Sequence, residues 1–149
     1  MHDAGRMLLI ASLALLGACA APPVSDTAGP QLAPASPATA GKLFAKGCLQ
    51  QLPAFSGTPA ALATEPVTQR RDTGTFYHNS ENLSIKVVEV EGVRFCSVVF
   101  GTTGSTSAVI NAFGTAASAA APGVQADLAI DFTGGPEGVT YYNARVKAQ

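Results

Sequence analysis

Five prolines fall within the twenty-one residues Ala20–Ala40 (AAPPVSDTAGPQLAPASPATA), and they decide where a fold can be built. Each proline fixes φ and removes a backbone donor, so neither helical nor strand periodicity survives such a density. The stretch holds no aromatic residue and one charge, Asp26. It reads as a disordered tether, partly in polyproline conformation, with a reach of about 25 Å as a coil and about 65 Å fully extended. The fold must then be built C-terminal to it, as one domain over residues 41–149.

Within that span the periodicity changes twice. Phe44, Cys48 and Leu52 recur at helical spacing and predict a helix from Gly41 to Gln51, capped by Thr39 and stopped by Pro53. Gly47 beside Cys48 offers close approach to a sheet. Thr58-Pro59 predicts the cap and first residue of a second, short helix that ends at Glu65-Pro66. From Val67 the period is two. Strands are expected at Val67–Arg71, Thr75–His78, Leu83–Val88 and Val93–Gly101, with Glu91-Gly92 as the tight turn before the last. Both faces of Val93–Gly101 are apolar, which predicts a central strand with Cys96, Val98 and Phe100 toward the helices. Ser105 or Thr106 then caps a third helix whose buried stripe is Val109, Ile110, Phe113, Ala117 and Ala120, with Gly114 as its weak point and Pro122-Gly123 as its end. Strands Ala126–Thr133 and Val139–Val146 close the chain. No βαβ alternation occurs, so the fold class is α+β: an antiparallel sheet of about six strands packed by two to three helices.

Ahead of the proline-rich stretch, Arg6 precedes an apolar run from Met7 to Ala18 that is too short to span a bilayer and suits a secretory signal peptide over residues 1–18. Its last residues, with the cysteine after them, are Leu16-Gly17-Ala18-Cys19, and this tetrapeptide resembles the lipobox of bacterial lipoprotein precursors. The resemblance implies cleavage before Cys19, triacylation of that residue, and anchoring to the membrane by several chains. Ala20 in the next position implies, on the enteric sorting pattern, the outer membrane facing the periplasm. Residues 19–40 then form the lipidated cysteine and its tether. Farther on, Thr73–His78 (TGTFYH) followed by Phe95–Gly101 (FCSVVFG) resembles uncharacterised secreted proteins of proteobacteria, with no activity attached.

The lipobox takes one of three cysteines and leaves Cys48 with Cys96. In an oxidising compartment this even pair reads as a disulfide, the alternative being two buried free thiols. Neither sulfur has a nearby His or Cys to complete a metal tetrahedron, so no metal and no cofactor is implied. Cleavage also removes Asp3 and Arg6, leaving the net charge at −1. A chain without a basic footprint is not expected to bind nucleic acid.

Few residues are candidates for chemistry. His78 is the single histidine after His2 leaves, set at a strand end near Asp72 and Glu81, and no nucleophile motif accompanies it. Gly101–Ser107 before a helix offers donors to an anion but lacks the P-loop lysine, and an ordinary helix cap explains it. The carboxylate spacings Glu89/Glu91 and Asp127/Asp131 fit solvated strand faces better than glycosidase chemistry. Tyr141 and Tyr142 face opposite sides of one strand, and an exposed tyrosine beside Arg70, Arg71 or Arg145 is the composition of a binding interface. The expectation is a lipid-anchored binding or accessory module that meets an envelope protein or peptidoglycan through a face around Tyr142, Arg145 and His78. A small hydrolase or enzyme inhibitor working around His78 is the alternative.

Overall fold

Strand alternation writes the sheet, and the turns between strands set its register. In a computed structural model, which describes residues 32–120, 128–135 and 138–148, the strands are β1 (Val67–Gln69), β2 (Phe76–His78), β3 (Leu83–Val90), β4 (Val93–Thr102), β5 (Leu128–Gly134) and β6 (Thr140–Lys147). They form one antiparallel sheet in the order β1-β2-β3-β4-β6-β5. The fold is α+β, with six strands and three α-helices among the described residues. The expected signal peptide, Cys19 and the expected tether as far as residue 31 lie outside the described residues, as do Pro122-Gly123 and Asp127.

Glu91 and Gly92 both take left-handed backbone (φ 52° and 77°), the pair of conformations that closes a two-residue hairpin with the strands' own twist. Val90 consequently stands opposite Val93, and this register runs on to Leu83 opposite Phe100. On its other edge β4 pairs with β6, so it is central, as its apolar faces predict. Cys96, Val98 and Phe100 point at the helices and are fully buried.

The helix layer is α1 (Pro37–Gly47), continued by a 3-10 turn at Leu49–Gln51, then α2 (Thr58–Leu62) and α3 (Thr106–Ala120). Helix α1 starts four residues earlier than its apolar spacing suggests. Ser36 is the cap, its Oγ accepting from Thr39 N at 3.0 Å, and Pro37 occupies the first turn. Proline breaks a helix interior but suits that position, where no donor is needed and φ is already set. The segment before it is also tied down. Ala33 N donates to Ser80 O (3.0 Å), Asn82 N to Ala33 O (2.7 Å), and Ala35 N to Gly101 O (2.7 Å). The fold thus reaches back into the proline-rich stretch, to Ala33.

Thr58 does not cap α2. Its hydroxyl is buried and donates to Gly47 O at 2.7 Å, linking α2 to the end of α1. A Cβ on Gly47 would stand 3.2 Å from the Leu62 side chain, so the close approach there is to α2, while the Gly47 carbonyl oxygen also lies 3.7 Å from Cys96 Sγ of β4, as expected of a glycine facing the sheet. Ser105 caps α3 through Ala108 N (3.2 Å), as expected. In α3, Val109 and Phe113 are buried, whereas Ile110 faces outward.

Aromatic rings fill the space between the layers. Phe113 meets Phe44 at 5.3 Å and Phe100 at 5.6 Å, and Phe100 stacks on Tyr142 at 5.4 Å. Each such side chain, fully buried, contributes about 1.5–3 kcal/mol. A disulfide joins Cys48, at the end of α1, to Cys96 in the central strand, with Cα atoms 5.5 Å apart. It fastens the helix layer to the middle of the sheet.

Candidate functional site

The sheet separates the three residues expected to share one surface. Tyr142 pairs with Phe100 and so points into the core. It is 2% exposed, and its hydroxyl shares a 2.9 Å hydrogen bond with Thr106 Oγ1. Tyr142 is therefore a packing residue and not part of an exposed face. Three positions on, Arg145 must point the opposite way. It lies on the open side of the sheet, 3.2 Å from Asp131.

His78 is on the helix side of β2 and only 6% exposed. Its Nδ1 accepts from Glu81 N at 3.0 Å and Ser80 N at 3.4 Å, which makes Nε2 the protonated nitrogen. The ring holds a turn and is not presented to solvent. Neither nearby carboxylate pairs with it. Asp72 is bound to Arg70 at 2.9 Å, and the Glu81 carboxylate accepts from Ser36 N at 3.1 Å and, more weakly, from the Thr39 hydroxyl.

The remaining motifs resolve into structure. Gly101 belongs to β4, Thr102 Oγ1 accepts from Gly104 N at 3.0 Å, and Ser105 caps α3. Glu89 pairs with Arg94 at 3.1 Å, while Glu91 turns the hairpin. Among the described residues no three His, Cys, Asp or Glu side chains converge as a metal site would require. One part-buried charge stands out. The Glu65 carboxylate, just after α2, meets Lys46 Nζ at 2.6 Å and Lys42 Nζ at 3.0 Å on α1. The hydrogen bond from Lys46, then that from Lys42, holds its carboxyl below the usual carboxylate range against a smaller opposing effect of desolvation.

What the strands do bring together is the side of the sheet away from the helices. Pairing sets Phe95 between Val88 and Lys147 in one row across β3, β4 and β6, and Ser97 between Lys86 and Arg145 in the next. Small residues, Ser97 and Ala129, leave a shallow groove of about 510 Å³ between Val88, Val90 and Phe95 on one flank and Arg145 and Lys147 on the other. Asn143 also lines it, and its Oδ1 is enclosed without a hydrogen-bond partner. No described element covers this face, and Val99 in its middle strand is 40% exposed. Apart from Arg145, these groove residues do not stand out in the sequence as a site. The signal for them is the i, i+2 set Lys86, Val88, Val90, which the Glu91-Gly92 turn folds onto Ser97, Phe95 and Val93. No family model, curated protein or solved structure matches the chain.

Proposed function

We propose that this chain is a lipid-anchored protein of the bacterial cell envelope, held in the outer membrane through Cys19 and facing the periplasm. Its domain serves there as a non-enzymatic binding or accessory module, working through the open face of the sheet around Arg145. The observation that carries the anchoring is Leu16-Gly17-Ala18-Cys19 at the end of a short apolar run. The disulfide between Cys48 and Cys96 suits an oxidising compartment. The working face is favoured because apolar and cationic side chains stay uncovered there. A hydrolase built on His78 is disfavoured by geometry: the imidazole is buried and its Nδ1 is occupied by two backbone donors.

The test is expression of the chain and its Cys19→Ala variant in a Gram-negative host, followed by membrane fractionation and mass analysis of the N-terminal peptide. The reading expects a triacylated Cys19 peptide and membrane association that the variant loses. An unmodified cysteine, or equal membrane association of both proteins, refutes it.

A further inference from the structure

The open face carries a charge pattern that the chain as a whole does not. Its strand positions include the cations Lys86, Arg145 and Lys147, while the one carboxylate among the described strand positions there, Asp131, is engaged by Arg145. The chain overall has a formal charge of −1. Between and beside those cations stand Val88, Val90, Phe95 and Val99, with Val90 55% exposed. Aliphatic and aromatic groups flanked by long basic side chains match an interface that is apolar inside and anionic at its rim. Lysine and arginine stems lie along the apolar part while their heads reach the phosphates.

We propose that this face docks onto an anionic bilayer surface, the same membrane to which Cys19 ties the chain; the inference rests on the anchoring reading above. The length of chain outside the structure supports this occupant. Cys19–Gln31 is thirteen residues, about 20 Å as a coil and about 43 Å fully extended, before the chain joins the fold at Ala33. The ten residues of β4 span about 33 Å. The leash therefore lets the sheet lie flat on the lipid, and it holds the face at an effective concentration where weak, flat contact is populated. A broad face spread over four strands fits a surface better than it fits a single peptide strand, which would seek a sheet edge.

The chain has no tryptophan, so one introduced indole reports without background. Val99→Trp on the open face and Ile110→Trp on the outer side of α3 are prepared in the full lipidated chain. Each is reconstituted into phosphatidylcholine vesicles with and without phosphatidylglycerol, the acyl chains brominated, and anchoring is checked by flotation. Val90→Trp replaces Val99→Trp if the latter does not fold. The expected result is quenching at position 99 and not at 110, only with the anionic lipid. Lys86→Glu with Lys147→Glu should weaken docking by roughly tenfold or more. Floating protein with no quenching at 99, or with equal quenching at 99 and 110, overturns the docking while leaving the anchor standing. Absence of quenching in the vesicles together with cross-linking of the open face to an acidic envelope protein in host membranes overturns it in favour of that partner. Failure to float overturns the anchor and the docking together.

Discussion

The same substitution should stabilise the fold at one helical glycine and fail to do so at another. Gly114 sits on the exposed side of α3, and a Cβ there meets nothing within 4 Å. Gly114→Ala therefore acts through backbone entropy alone and should stabilise by about 1 kcal/mol. Gly41 is buried where α1 crosses α3, and a Cβ there would lie 3.0 Å from the carbonyl oxygen and 3.2 Å from the carbonyl carbon of Ala112. Those atoms belong to the backbone of a fifteen-residue helix and cannot rotate aside, so the two helices must part. Overpacking of this kind costs about 1–3 kcal/mol, and a helix-propensity gain of about 1 kcal/mol leaves a net change between about zero and about 2 kcal/mol destabilising. The two variants should differ by about 1–3 kcal/mol. Urea unfolding at constant m-value reads this directly, and thermal melting should separate them by roughly 4 °C per kcal/mol. If Gly41→Ala raises the midpoint as much as Gly114→Ala does, the close packing of α1 on α3 is wrong.

Three further outcomes are expected. Non-reduced protein should show no free thiol at Cys48 or Cys96 after denaturation, and reduction should cost about 4 kcal/mol on the chain-entropy model for a separation of 48 residues; two titratable thiols at these positions refute the bridge. Glu65 is held below its ordinary value near 4.5, so its contribution is complete above that pH and is lost as pH falls through the depressed folded-state value. Glu65→Gln should flatten the acid side of the stability curve, and an unaltered acid limb counts against the Lys46–Glu65–Lys42 cluster. His78→Ala leaves the N–H groups of Glu81 and Ser80 without their acceptor in a part-buried turn and should cost about 1–3 kcal/mol by calorimetry; an unchanged melting temperature contradicts the assigned role.

How much of the fold is legible from residues alone depends on how local each cause is. The Glu91-Gly92 turn and the Ser105 cap are decided within four or five residues, and both are where the sequence places them. The start of α1 is not legible in this way, because a proline usually breaks a helix, whereas Pro37 stands at the one helical site that favours it. Thr58 looks like a cap because a threonine precedes a proline, yet its hydroxyl is used by Gly47 O, eleven residues away in the chain. Ile110 lies next to the buried Val109 but turns outward, because α3 packs through the stripe of Val109, Phe113, Ala117 and Ala120.

The tyrosines show a different kind of limit. Alternation says that Tyr141 and Tyr142 part company but not which one goes inside, and only the pairing of Tyr142 with Phe100 answers that. The same parity carries a consequence for function. Tyr142, Ala144 and Val146 face the helices and are buried, so changes there act through stability. Asn143, Arg145 and Lys147 share the opposite face with Phe95 and Ser97, where nothing described packs on them. Strand β6 thus has one set of residues that holds the molecule together and an alternating set that is free to meet something else. Aliphatic residues such as Val88, Val90 and Val99 on that second face do not contribute to the core. Their presence there, beside cations with a single carboxylate among the described strand positions, is what a surface for an anionic, partly apolar partner requires.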